Sequence, residues 1–353
     1  LFRDQQQSSP KVWSSSPNIR IMRGLHSSRH DLMNVPAFFM LILIALPQRP
    51  GMAETAFVSL EKDQAVAMVE VPEGTLEGTF KVGKRPRGIA LSPDHQSLFV
   101  AVSDEDTIKV FDPKSHQLKG QIASGKDPET FVVDPRGQWL IASNENDNQI
   151  TVIDLKTFKK VKSIPVGIEP EGIAISADGA LIASTSETTN MVHWIDRESL
   201  SIVDNTLVDP RPRACAFTED HQELWVSSEM AGTVTVLDTI THQMITKIHF
   251  KIPGVTMEKI QPVGIQIDRE RQRAYVALGP SNRVAVIDAK TYQVLDYLLV
   301  GQRVWQLAFT PNQRFLSTTN GLSNDISIID LQQRKVTKSV AVGQYPWGIA
   351  IAP

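Results

Sequence analysis

Apolar residues in this chain fall in short runs, and the runs recur in a fixed order. One cycle reads "GIALSP" (Gly88 to Pro93), a polar turn at Asp94 to Gln96, then "LFVAV" (Leu98 to Val102). A second polar turn leads to "TIKVFD" (Thr107 to Asp112), and "QLKGQIA" (Gln117 to Ala123) completes the cycle. No stretch carries the 3.6-residue period of an amphipathic helix, and the runs have strand length. A near-identical phrase introduces the cycles: "VGKRPRGIALS" (Val82 to Ser92), "VGIEPEGIAIS" (Val166 to Ser176) and "VGQYPWGIAIA" (Val342 to Ala352). Its proline recurs at Pro86, Pro128, Pro170, Pro212, Pro262 and Pro346, with Val304 in its place once. The spacing is 42 residues, except for 50 between Pro212 and Pro262.

Four short strands in about 42 residues make one blade of a β-propeller. A lone four-stranded sheet cannot bury both faces; set radially between two neighbours it can, and closing the ring protects the ends. Six intervals separate the seven anchors. Before the first lie "AFVSLEKDQAVAMVEV" and "LEGTFKVG", which supply three strands without an innermost one. After the last lies only "GIAIAP", an innermost strand without partners. The sequence therefore predicts an all-β fold: a seven-bladed propeller of four-stranded antiparallel blades. Its ring is closed by N-terminal strands pairing with the C-terminal strand, around Ala56 to Leu60. The propeller is expected to occupy residues 54–353 as a single domain.

Residues 1–53 read differently. "AFFMLILIAL" (Ala37 to Leu46) is an apolar run, preceded by Arg23 and Arg29 and followed by the small residues Gly51 and Ala53. Ten residues are too few to span a bilayer, which needs about 20. A basic start, a short apolar core and a small-residue cut describe a secretory signal peptide. The expectation is cleavage after Ala53, a periplasmic location and no membrane attachment afterwards. Met22 and Met33 are candidate starts, which would make residues 1–21 an over-extended N-terminus.

Charge and cysteine content narrow the function. The first 53 residues hold six Lys/Arg and two Asp/Glu, which leaves 30 basic and 37 acidic residues in the other 300. A mildly acidic body without a basic stripe argues against nucleic acid. The single cysteine, Cys215, excludes an intrachain disulfide, and there is neither a haem-attachment motif nor a paired-cysteine zinc motif. No resident cofactor is called for, and no metal site is assigned.

Candidate chemistry gathers on one face. In a propeller the loop leading into the innermost strand and the loop between second and third strands share a face. The residue after each anchor reads Arg87, Glu129, Glu171, Arg213, Val263, Trp305, Trp347. The residue before it reads Arg85, Asp127, Glu169, Arg211, Gln261, Arg303, Tyr345. The position after that first series is small in most blades (Gly88, Thr130, Gly172, Ala214, Gly264, Gly348), which lets strands converge on the axis. Glu145, Glu187 and Glu229 share one repeat position in the second-to-third loops. The eight extra residues of the long interval enlarge a loop, about 252–261, on the same face. Arg87, Glu129, Glu171, Glu187, Arg213, Trp305 and Trp347 are thus the candidate ligand-binding residues of the channel mouth. Glu171, Glu187, Arg213 and Trp347 are expected to border one cavity overhung by that loop. Two readings of the ring stay open: polar groups beside aromatics that bind a small polar ligand, or charges that pair with one another and seal the channel.

Other polar residues read as structure. His95, His116, His221 and His242 fall in turns of the opposite face and are expected to be solvated. His193 and Cys215 read as core, and Asp106, Asn148, Asn190, Asn282 and Asn324 as turn formers.

The second-to-third strand pattern in "AYVALGPSNRVAVID" (Ala274 to Asp288) resembles the YVTN-type propeller repeat. Together with "SETTN" (Ser186 to Asn190), "FKIPGVTMEKIQPVGI" (Phe250 to Ile265) and the lengthened fifth interval, the set resembles the PQQ-dependent catabolism-associated β-propeller family. That resemblance covers about residues 56–353. It implies a non-catalytic periplasmic binding or scaffold protein, accessory to quinoprotein oxidation of alcohols or related substrates, with a quinoprotein dehydrogenase or another periplasmic protein as partner. It does not imply that this chain carries the quinone. The alternative is a propeller hydrolase, such as a lactonase, with its site at the channel mouth.

Overall fold

In the computed structural model, residues 54–353 are described, and they form 28 strands in seven four-stranded antiparallel sheets. The expected signal peptide lies outside the described residues. Blades are numbered here from the composite one. Their innermost strands are Pro346–Ala352, Pro86–Leu91, Pro128–Val133, Pro170–Ile175, Pro212–Phe217, Ile265–Ile267 and Val304–Phe309. The composite blade orders its strands as Pro346–Ala352, Glu54–Leu60, Ala65–Val71, Thr75–Lys81. Thr55 pairs with Ala352, Ala56 with Ile351, Phe57 with Ala350 and Val58 with Ile349. The ring is therefore closed as the sequence pattern predicts.

Each blade buries its middle. The second strand Leu98–Val102 is buried at every residue, and Glu223–Ser228 likewise. Both faces pack against neighbouring blades, so these strands read as apolar runs rather than alternating ones. Outer strands are mostly exposed, with one buried apolar residue at a shared repeat position: Ile122, Ile164, Ile248, Leu298 and Val340. Clusters bridge adjacent blades; one joins Val58, Leu60 and Val69 of the composite blade to Ile326 and Ile328 of blade 7. Burying such a side chain stabilises by about 1.5–3 kcal/mol.

The axis is crowded. A Cβ on Gly172 would lie 2.5 Å from the Arg213 carbonyl oxygen, and one on Gly348 2.5 Å from that of Arg87. Small residues are required there because adjacent inner strands approach backbone to backbone.

The residue before each anchor is left-handed in six blades: Arg85, Asp127, Glu169, Arg211, Arg303 and Tyr345 have φ of 53 to 60°. The recurrent Asp and Asn residues explain how this is held. The side-chain oxygen of Asn190 accepts the backbone N–H of Arg211 at 3.1 Å. Asp106, Asn148, Asn282 and Asn324 accept in the same way from Asp127, Glu169, Arg303 and Tyr345. These residues do form turns, themselves with φ of 51 to 61°, and they also clip one blade to the next.

The histidines fit the structural reading with two corrections, at His242 and His116. His95, His116, His221 and His242 all adopt left-handed turn conformations. His242 is not simply solvated: it stacks on Trp194 with ring centroids 4.2 Å apart and bonds Asp204 at 2.9 Å. His116 stacks on Phe80 at 4.9 Å. His193 is satisfied in the core by Asn205 at 2.5 Å, Ser186 at 3.1 Å and the Gly167 N–H at 2.9 Å.

Candidate functional site

Anchors and second-to-third loops meet on one face, as the repeat geometry requires. The backbone N–H of Glu145 bonds the Asp127 carbonyl, that of Glu187 the Glu169 carbonyl, and that of Glu229 the Arg211 carbonyl. The same bond joins Glu61 to Tyr345. Glu61 thus occupies the Glu145 position in the composite blade. It was missed in the sequence because it precedes the first anchor, although it lies 84 residues, two repeats, before Glu145.

The ring charges pair. Arg213 lies 2.6 Å from Glu187 through Nη1 and 2.8 Å from Glu171 through Nη2, with Glu229 at 3.7 Å. Arg211 bridges Glu187 and Glu229 at 2.9 and 3.2 Å. Arg303 holds Glu229 at 2.8 Å and donates to Gln261 at 2.5 Å. On the other side, Arg85 reaches Asp127 at 2.6 Å and Glu129 at 2.8 Å. Arg87 reaches Glu129 at 2.6 Å and Glu61 at 3.3 Å. All the candidates therefore meet in one region, but the aromatics do not face an open acidic sector. Trp305 stacks under Arg303, 4.1 Å from ring centre to guanidinium, and Trp347 lies 5.3 Å from Arg87.

The ring fills the axis. Glu129, Glu171, Arg213, Val263, Trp305 and Trp347 are all buried. Of the four residues expected around one cavity, Arg213 and Trp347 line an axial chamber beneath the ring; Glu171 and Glu187 are not among its walls. Nor does the enlarged loop overhang that chamber. It anchors itself through buried Phe250, Ile252 and Ile260 in the core between blades 5 and 6 and meets the ring through Gln261.

Carboxyls outnumber guanidiniums. Glu61, Asp127, Glu129, Glu171, Glu187 and Glu229 take all five arginines named above, and Glu145 has no arginine partner among the described residues. Burial, reinforced by neighbouring Glu129, pushes the Glu145 carboxyl up to about 7. Asp127 is raised too, by burial and then Glu129. Burial drives Glu171 well above the ordinary range against the pull of Arg213, and its proton faces Glu187. Carboxyl oxygens of Asp127, Glu129 and Glu145 lie within 4.8 Å of one another. Chemically, a half-buried Glu145 carboxyl raised towards neutrality can share its proton with neighbouring Glu129 and still accept through its second oxygen, while the six carboxyls above hold the arginines.

Two family models match the chain. "Lactonase, 7-bladed beta-propeller" matches residues 54–159, which include Arg85, Arg87, Asp127, Glu129 and Glu145. "Choice-of-anchor I domain" matches residues 139–320. No curated protein sequence matches. Similar solved structures include hydrazine synthase of Kuenenia stuttgartiensis, with TM-score 0.73 and 20% identity over 78% of this chain and 92% of that one. A candidate 6-phosphogluconolactonase of Bacteroides fragilis gives TM-score 0.73 and 15% identity over 87% and 100%. A protein of unknown function from Desulfotomaculum acetoxidans gives TM-score 0.73 and 15% identity over 84% and 98%. At these identities the likeness is one of fold. The second family match spans more than half of the sequence, and the chain belongs to the choice-of-anchor I domain family.

Proposed function

We propose that this protein is a non-catalytic binding propeller of the periplasm, which takes a small polar, hydroxyl-bearing ligand at Glu145 on the upper face. The observation that carries this reading is that Glu145 holds no arginine among the described residues, while Glu61, Asp127, Glu129, Glu171, Glu187 and Glu229 each hold one. A carboxyl held near neutrality matches a hydroxyl group, which needs both a donor and an acceptor. Service to PQQ-dependent oxidation of alcohols, with a quinoprotein dehydrogenase as partner, rests on the repeat resemblance alone. Export with cleavage after Ala53 belongs to the same proposal. The intact mass of protein from a periplasmic fraction should begin at Glu54, and a chain retaining Phe38 to Leu46 would remove it.

A second reading has one observation in its favour. The lactonase match covers the Glu145 cluster, and a carboxyl near neutrality suits general-base attack of water on a lactone. One experiment separates the two. Thermal shifts and proton release are recorded with short alcohols, hydroxy acids and δ-lactones, for the wild type and Glu145→Gln. Binding without turnover, weakened in the variant, supports the binding protein. Lactone turnover that falls about 100-fold in the variant supports the hydrolase. No response to any compound removes both.

A further inference from the structure

We infer that the axial chamber beneath the charged ring is a second ligand site, taking an uncharged polyhydroxyl compound of monosaccharide size from the lower face. The chamber measures about 240 Å³. That is just below the usual range for drug-sized ligands, about 300–1,000 Å³. Upward it ends at the buried ring. Downward it runs into a cavity of about 510 Å³, with which it shares Phe131, Ile173, Cys215, Ile265 and Gln266. That cavity reaches Glu219, Arg269 and Gln313 in the lower turns.

The walls ask for oxygen. Of the buried tryptophans, Trp194 donates to Thr206 and Trp225 to Glu223, each at 2.9 Å, while the indole N–H groups of Trp305 and Trp347 have no acceptor; only Trp347 of these two lines the chamber. Trp347 is 2% exposed. A buried donor left unmet costs about 1–3 kcal/mol, so its N–H calls for an acceptor. Gln266 and Gln306 also face the chamber, and among the described residues neither side-chain amide has a hydrogen-bond partner in the protein. Each amide can donate and accept, which is what a hydroxyl matches.

Charge selects a neutral ligand. The only ionic group in its lining is Arg213, whose charge Glu171, Glu187 and Glu229 already neutralise, so the chamber offers no free charge to a cation. An anion would have to compete with Glu171, Glu187 and Glu229, which already hold that guanidinium. This site does not depend on the reading of Glu145, which belongs to the ring and does not line the chamber.

Cys215 supplies the reporter, as the sole thiol of the chain and a lining residue of both cavities. The probes are D-glucose, D-xylose and myo-inositol, with gluconate and glucosamine as charged controls. Binding is measured by calorimetry, and in parallel as protection of Cys215 from methyl methanethiosulfonate. At least one neutral probe should bind and slow modification, and the charged controls should do neither. Trp347→Phe keeps the ring filled while deleting the N–H, and should weaken that probe about tenfold. Gln306→Ala gives a second readout if Trp347→Phe fails to fold, with the same direction of effect. Absence of binding by every neutral probe would overturn the inference. So would binding that leaves Cys215 unprotected, or binding indifferent to both variants.

Discussion

At Glu145 the folded protein holds a proton that the unfolded chain releases between about pH 4.5 and 7. Because the folded state binds the extra proton, its contribution is complete below about 4.5 and is lost as pH rises through about 7. The shift would correspond to about 3 kcal/mol if fully expressed. Glu145 is half-exposed, and screening by solvent reduces this to about 1–2 kcal/mol. Urea unfolding of wild type should therefore lose more stability between pH 5 and pH 8 than Glu145→Gln does, by about 1 kcal/mol. Equal losses would mean that Glu145 titrates normally. Arg213 invites a complementary test. Arg213→Ala strands Glu171, Glu187 and Glu229 and should cost about 3–5 kcal/mol at pH 8. At pH 5 the cost should shrink, since a carboxylate left buried without its counter-charge takes up a proton more readily. A pH-independent cost would point to lost packing against Trp305, whose ring centre lies 5.8 Å from the guanidinium. The residue types of this ring were legible in the sequence. Their mutual satisfaction was not, because a spacing of 42 residues says which side chains share a level and nothing about which way a guanidinium turns. The partnerless N–H groups of Trp305 and Trp347 were hidden for the same reason.

Blade-to-blade clips set the register of the loops that carry the ring. Asn190 is itself left-handed, with φ of 56°, and its side chain holds the N–H of left-handed Arg211. Asn190→Ala loses a hydrogen bond worth about 1 kcal/mol and adds the cost of a left-handed alanine, about 1 kcal/mol. Asn190→Gly loses only the first. Urea denaturation should rank wild type above Asn190→Gly, and Asn190→Gly above Asn190→Ala; equal losses would assign the whole effect to the bond. Strands and turns were readable because short apolar runs of strand length and Asn or Gly turns are local signals. The left-handed residue before each anchor was not. Asp127, Glu169, Arg211 and Tyr345 share no residue type, and the conformation there is held by bonds from the preceding blade rather than by intrinsic preference. The enlarged loop shows a similar limit. Its length was plain, but its inward anchoring through Ile252 and Ile260 depends on a gap between two blades that no local pattern reveals.

At the scale of the ring, closure depends on one strand. Removing Trp347 to Pro353 strips Ile349 from a core shared with Val58, Leu60 and Val69 and exposes the strand Glu54–Leu60. With about 2–5 kcal/mol for each lost core side chain, the truncated protein should melt many degrees lower. A midpoint within a degree or two of the intact chain would show that six blades hold without the seventh. The same pairing has a topological consequence. The strand Glu54–Leu60 rises toward the charged face and Pro346–Ala352 descends from it, so Thr55 and Ala352 sit side by side at the opposite end of the blade. Both exits of the barrel-like ring thus share one pole, the one onto which the axial chamber opens. A circular permutant that joins Pro353 to Glu54 through a few glycines and begins at Gln96, in the exposed turn after Asp94, should keep the native fold and melting behaviour. Any surface to which either exit is tethered would look into the channel, leaving the arginine–glutamate crown turned outward.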